Sequence, residues 1–193
     1  EEFALPNVSL KQYVGLNAPF YPSFSEEILK ACLRDFDMNE DIYLGELSMG
    51  QKKKAYMCFA LATNTEFLVM DEPSNGLDIP SKSQFRRVVA SGMTENKSVV
   101  ISTHQVRDLE NIIDPIIILD KKEVLLNASI EQIADKLYFD YSSEKIAGAL
   151  YSEMVPGGSI QVLPNTEKKD SKVNIEALFN TVHQHKELIK GMF

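Results

Sequence analysis

No phosphate-cradling loop of the form G-x-x-x-x-G-K-[ST] occurs anywhere in the 193 residues, and none of the nine glycines is followed by lysine. Long apolar runs are missing as well. Stretches such as Ile116-Ile117-Ile118-Leu119 fall far short of the ~20 residues that a helix needs to span a bilayer. Positive charge is scarce: 20 Lys and Arg stand against 28 Asp and Glu, for a net charge of −8. That balance argues against a protein that grips nucleic acid mainly through phosphates. Only two cysteines are present, Cys32 and Cys58, each among apolar neighbours in a helical pattern. They read as small core residues in a reducing compartment rather than as a disulfide framework or a metal site. There is no internal repeat and no low-complexity tract. The remainder, 44% hydrophobic and 25% charged, is the composition of a globular protein, one domain with a small appendage. The chain begins at Glu1 rather than Met, as expected of a processed product or a piece of a longer protein.

Residues 1–46 read as mostly helical. Ser9-Leu10-Lys11-Gln12 fits a capping box, a loop of prolines and aromatics follows around Pro19–Phe24, and Ser25 caps a helix carrying Glu26 and Glu27 in its first turn. Ile28, Leu29, Cys32, Leu33 and Phe36 recur on that helix at helical spacing. A second capping box, Ser48 to Gln51, opens a helix predicted to run to about Thr63. Phe67 to Met70 is wholly apolar, as expected of a buried parallel strand. Pro80 starts another helix with Phe85, Val88, Val89 and Met93 on its buried face. Ser98 to Ser102 is a second strand, followed by His104 and a helix to about Ile112. Ile116 to Leu119 is a third strand, paired with Val124 to Leu126 across a turn. Alternating strands and helices imply an α/β layer with a parallel sheet. Ser129 to Gln132 caps one more helix. Beyond it the texture changes to short strands at Tyr138–Tyr141, Ala149–Val155 and Ser159–Leu163, then a polar loop and a final amphipathic helix from about Asn174. Residues 137–193 are therefore expected to form a small α/β appendage.

Two segments carry chemistry. Asp71 and Glu72 end the apolar strand Phe67–Met70, and ligands of open α/β sheets bind outside the carboxyl ends of such strands. An Asp there suits Mg²⁺, which keeps much of its water, and an adjacent Glu can orient an attacking water. A bare D-E pair after a strand is otherwise a solvated turn; the following Pro-Ser-Asn-Gly-Leu-Asp weighs against that. Ser48-Met49-Gly50-Gln51 offers a helix N-terminus with free N–H groups, a hydroxyl and a glycine, all suited to phosphate, although S-x-x-Q is also an ordinary cap. Lys52, Lys53 and Lys54 follow where the helix dipole disfavours cations. Either a nearby anion or a solvated basic face accounts for them. His104, after Ser102-Thr103 at the next strand end, can report a phosphate. His183 and His185 fall on different faces of the last helix and read as structural.

In order and spacing, these segments are similar to the ABC ATPase family. Leu47–Gln51 resembles the family signature, with Met49 where the usual pattern has Gly. Phe67–Glu72 resembles Walker B with Glu72 at the catalytic glutamate, Ser74-Asn75-Gly76-Leu77-Asp78 resembles the D-loop, and His104 falls at the switch histidine. The resemblance covers about residues 1–136. It implies a P-loop-NTPase-like α/β fold, incomplete here, with a helical subdomain over about 1–63 and an α/β part over about 64–136. It implies ATP and Mg²⁺ as cofactors, with Asp71 organising the metal and Glu72 directing water at the γ-phosphate. Ser48, Met49, Gly50 and Gln51 would cap the nucleotide of a second ATPase subunit in a head-to-tail dimer, and Asp78 would act across that interface. A transmembrane permease would dock near the helical subdomain, which places the protein in the cytoplasm, peripheral on the inner face of the membrane.

The Walker A loop of that family is missing, and Glu1-Glu2 stands near where the family places its Q-loop glutamine. The expectation is the C-terminal portion of a cassette, inactive alone for lack of Walker A, whose parent hydrolyses ATP to power a transporter. The tail Val173–Phe179 resembles those of bacterial exporter ATPases, so export is expected over import. A non-transport ABC-type ATPase and a regulatory interaction module are the alternatives. The first is disfavoured by the absence of heptad arms, the second by the retained Glu72 and His104.

Overall fold

A computed structural model describes residues 6–93, 96–109 and 112–193, so the Glu1-Glu2 pair lies outside the described residues. The chain packs as two units, residues 1–108 and 109–193.

The first unit begins with three helices that start where the sequence supplies caps. α1 (Leu10–Asn17) and α3 (Met49–Ala62) open on complete capping boxes, Ser9 with Gln12 and Ser48 with Gln51. In each, the hydroxyl accepts from the backbone N–H three residues on, and the glutamine side chain answers the cap's own N–H. Ser25 caps α2 (Glu26–Asp35) through its hydroxyl. α2 lays Leu29, Cys32 and Leu33 inward, facing a core shared with Cys58, Leu61 and Ala62 of α3. The Phe59 ring is met edge-on by Tyr13 and Tyr21 and at a tilt by Phe24, with centroids 5.2–5.7 Å apart. The loop expected around Pro19 tightens into a 3₁₀ turn over Ala18–Phe20.

β1 (Phe67–Asp71) and β2 (Ser98–Ser102) pair in parallel, Phe67 opposite Ser98 and Asp71 opposite Ser102, with α4 (Ile79–Ser91) between them in sequence. Three details depart from the sequence reading. β1 is not buried on both faces: Phe67 and Val69 are each 69% exposed and only Met70 is buried. An all-apolar strand stays dry only when both faces are covered, and here exposure alternates with the pleat. Met93, expected on the buried face of α4, lies past the end of that helix and is exposed, whereas Phe85, Val88 and Val89 are buried as expected. After β2 the described residues hold only a 3₁₀ turn, Val106–Leu109, in place of the helix expected to about Ile112.

The second unit opens on an antiparallel hairpin, β3 (Ile116–Asp120) and β4 (Glu123–Ala128). Its two-residue turn puts Lys121 and Lys122 both at positive φ, the geometry of a primed turn that matches strand twist. The third strand thus pairs with its own hairpin partner rather than extending the parallel pair. α5 (Ile130–Lys136) starts on a third capping box, Ser129 with Gln132. A three-stranded antiparallel sheet follows in the order β5 (Leu137–Ser142), β7 (Gly158–Pro164), β6 (Tyr151–Val155). Gln161 on β7 is fully buried and satisfied: it accepts from the Ile146 N–H and donates to the Glu144 carbonyl, pinning the 143–150 segment. The terminal helix is two helices, α6 (Ile175–Gln184) and α7 (Lys186–Met192), broken at His185, whose ring bonds the Leu150 carbonyl at 2.7 Å. Lys186 pairs with Asp120, and Lys190 with Glu123 at 2.7 Å, so α7 is tied to the hairpin. This is why residues 109–136 pack with the tail and the compact division falls at 108/109, ahead of the boundary expected at 136/137.

Candidate functional site

Asp71 and Glu72 leave the carboxyl end of β1 beside Ser102, Thr103 and His104 at the end of β2. The parallel register brings these two strand ends together. The Asp71 carboxylate is exposed and accepts from the Ser102 hydroxyl. The Glu72 N–H continues the ladder to the Ser102 carbonyl at 2.9 Å, and its backbone then turns into the left-handed region at φ +46°. For a non-glycine residue that conformation costs energy and must be held by its surroundings.

The holding groups are evident. Glu72 accepts from the His104 backbone N–H at 2.9 Å and from the Thr103 hydroxyl at 3.1 Å, and it faces His104 Nδ1 at 2.6 Å. Partial burial raises the Glu72 carboxyl. The bonds from the His104 ring, the His104 N–H and the Thr103 hydroxyl outweigh it and leave the pKa below the ordinary 4.5. A carboxylate accepts only, so the proton of this contact sits on Nδ1, leaving Nε2 for another partner.

The 74–78 loop then folds back on itself. Asn75 N–H donates to the Glu72 carbonyl at 3.2 Å and Leu77 N–H to the Ser74 carbonyl at 3.2 Å, with Gly76 at φ +79°. Asp78 ends the loop as the N-cap of α4, accepting from the Ser81 N–H at 2.9 Å. Hydrogen bonds from Ser81 hold its exposed carboxyl below the usual aspartate range.

The N-terminus of α3 lies against this loop. A Cβ added at Gly50 would sit 3.8 Å from the Gly76 carbonyl, an ordinary contact. Lys53 Nζ donates to the Asn75 carbonyl at 2.6 Å, and Lys54 Nζ to Gln84 Oε1 at 3.1 Å. Two of the three lysines at this dipole-disfavoured end are thus engaged within the chain. Met49 is exposed beside Gln51. Among the described residues no hydrogen bond links Ser48–Gln51 to Asp71, Glu72 or His104. The sequence-predicted residues therefore form two hydrogen-bonded groups: Asp71, Glu72 and His104 at the strand ends, and Ser48 to Gln51 at the start of α3, against the 74–78 loop.

Among the described residues no group of three or more His, Cys, Asp or Glu side chains could hold a metal. The donors present do fit Mg²⁺: an exposed carboxylate at a strand end with a hydroxyl beside it is a hard oxygen set, and this ion commonly takes one or two carboxylates plus phosphate oxygens. Sequence reasoning missed the roles of Thr103, Lys82 and Gln105 and the partner of Lys53. Each acts through a partner distant in sequence, for which no local spacing rule exists.

Known proteins of similar sequence and fold carry ATP-binding names. The chain is 36% identical over 93 residues to an energy-coupling factor transporter ATP-binding protein of Mycoplasmoides gallisepticum, a match covering 48% of this chain and 29% of that protein. It is 28% identical over 144 residues to the ABC transporter ATP-binding protein NatA of Bacillus subtilis, covering 74% and 56%. The chain is thus similar to the ATP-binding proteins of ABC transporters. A manganese transport system ATP-binding protein of Listeria monocytogenes matches at 31% over 108 residues, 55% of this chain and 45% of that protein. The chain thus spans between 29% and 56% of the length of these relatives. No family model matches it. The fold is that of an ABC ATPase subunit: an ATP-binding subunit of an ABC transporter superposes at TM-score 0.58 with 22% identity, over 67% of this chain and 57% of that one. A putative cobalt transport ATP-binding protein superposes at 0.57 with 15% identity, over 98% and 68%. Among the described residues no helix is long and apolar enough to cross a membrane.

Proposed function

We propose that this chain is part of an ATP-hydrolysing subunit that powers a membrane transporter. The observation that carries the reading is the Glu72–His104 pair: an ionised carboxylate at a strand end, held in a strained backbone by three hydrogen bonds. Such a group orients and deprotonates a water directed at a γ-phosphate. His104 and Thr103 hold the carboxylate, and Nε2 of His104 remains for the phosphate. Asp71 is the residue that would hold Mg²⁺, which supplies charge neutralisation at the phosphates when bound.

Ser48, Met49, Gly50 and Gln51 present a capped helix N-terminus to the nucleotide of a second ATPase subunit in a head-to-tail dimer, and Asp78 lies at the same interface. That none of their hydrogen bonds among the described residues reaches Glu72 is in keeping with two nucleotides rather than one. A transmembrane permease is the further partner, docked on the helical segment, with the assembly peripheral on the cytoplasmic face of the membrane. The 193-residue chain alone is inactive, because most phosphate contacts of P-loop enzymes come from a loop that it lacks. Export rests on the tail around Val173–Phe179 alone. The relatives' names, among them a manganese transport system and energy-coupling factor transporters, give it no support, so transport is proposed without a direction.

The test is hydrolysis by the full-length protein with its permease. Glu72→Gln is expected to lower the rate by about 10²-fold or more while ATP still binds. An unchanged rate would sink the assignment. Calorimetry on the 193 residues is expected to detect no micromolar ATP binding.

A further inference from the structure

Gln105 belongs to none of the motifs above, yet it touches both sides of the site. Its backbone N–H donates to Thr103 Oγ1 at 2.9 Å, which leaves the Thr103 hydroxyl proton for Glu72 Oε2. Its side-chain Nε2 donates to Asn75 Oδ1 at 3.4 Å, and its Oε1 accepts from Lys82 Nζ at 2.8 Å. An ammonium only donates, so Lys82 dictates which end of the Gln105 amide faces it and thereby aims Nε2 at Asn75. Lys82 is itself fixed by Asp108, whose Oδ2 lies 2.8 Å away as an ion pair rather than an aligned hydrogen bond.

Asn75 is equally connected. Its carbonyl accepts from Lys53, its N–H donates to the Glu72 carbonyl, and its side chain meets Gln105. A continuous path of polar contacts thus runs from α3 through Lys53, Asn75 and Gln105 to Thr103 and Glu72. Its longest link is the Asn75–Gln105 bond at 3.4 Å, near the limit of hydrogen-bond geometry and so the weakest.

We infer that Gln105, oriented by Lys82 and Asp108, is a positioning residue: it couples the 74–78 loop to the Thr103–His104 turn and so sets the Glu72 carboxylate for catalysis. This rests on the reading of Glu72 as the base. The relay adds a link within one chain to the residues that face water and phosphate.

The experiment is a double-mutant cycle on the full-length ATPase with its permease, using Asn75→Ala, Gln105→Met and both together, with Glu72→Gln alongside. Each single change is expected to lower kcat about tenfold with KM for ATP within about twofold. The double is expected to fall no further than the worse single, because both remove the same link. Gln105→Glu keeps an acceptor for Lys82 and lets Asn75, its amide flipped, donate instead; it is expected to restore most of kcat where Gln105→Met does not. Full kcat in Gln105→Met, or single losses that simply multiply, would overturn the coupling while an inactive Glu72→Gln upheld the base. An active Glu72→Gln would remove both. Should Gln105→Met fail to fold, Asn75→Ala in the exposed loop carries the same expectation.

Discussion

Glu72 and His104 are joined twice over, through the backbone N–H of His104 at 2.9 Å and through its ring Nδ1 at 2.6 Å. The first bond depends only on the chain path; the second depends on the side chain. His104→Ala therefore removes one and leaves the other. With the ring gone, the Glu72 carboxyl rises toward its ordinary 4.5 from the lower value at which His104 and Thr103 hold it. The native carboxylate stays ionised to lower pH, so its stabilising contacts are fully present above 4.5 and are lost as pH falls through the depressed value. The acid limb of kcat/KM in the full-length enzyme is expected to move to higher pH in His104→Ala. An unmoved limb would mean that the ring does not act on Glu72.

Ser48 both caps α3 and is proposed to face a phosphate, and two substitutions separate the roles. Ser48→Ala is expected to cost about 1 kcal/mol, measured by chemical denaturation, from loss of the Gln51 N–H partner. Ser48→Asp keeps an acceptor for that N–H, so stability is expected to hold. ATP-driven dimerisation of the full-length protein is expected to be lost, because a carboxylate replaces a hydroxyl donor beside an anion.

Val69 tests the exposure of β1. It is 69% exposed, and Val69→Thr in the 193-residue chain is expected to change stability by less than about 0.5 kcal/mol. A loss above about 1 kcal/mol would mean that this face is buried after all.

The hairpin–α7 clasp has a pH window at both ends. Hydrogen bonds from Lys186 and Lys190 hold Asp120 and Glu123 below their ordinary 3.8 and 4.5. Their contribution is complete above those values and lost as pH falls through the lowered ones. Lys190, raised above 10.5 mainly by its hydrogen bond to Glu123, contributes fully below 10.5 and loses its contribution as pH rises through the raised value. The protection of the α7 amides against hydrogen exchange, relative to their intrinsic rates at each pH, is expected to be greatest near neutrality and to fall below about pH 3.8. Equal protection at pH 3 and 7 would dissolve the clasp.

Much of this was legible in the chain because it is local. Three S-x-x-Q boxes announced α1, α3 and α5, since the two hydrogen bonds of each box close within four residues. The strand ends at Asp71 and Ser102 were equally plain from short apolar runs followed by polar residues. What stayed hidden is non-local. Whether Phe67 faces solvent depends on a layer above the strand, not on the strand. The partners of Lys82 and Lys53 lie 23 and 22 residues away, so nothing in spacing distinguishes them from solvated cations. The break at His185 arises because its ring reaches Leu150, 35 residues back, against an otherwise unbroken helical pattern.

The two cysteines carry a practical consequence. Cys32 and Cys58 are both free and buried, and Cys58's hydrogen bond to Cys32, together with burial, pushes its thiol well above the ordinary range. Because both thiols are buried, thiol reagents that need an accessible thiolate meet a blank surface. A single Met154→Cys change, at a site 90% exposed on the edge strand β6, would take a maleimide dye without first stripping the native sulfurs. The chain can thus be tagged at one chosen point and its motions followed by fluorescence on an otherwise unaltered background.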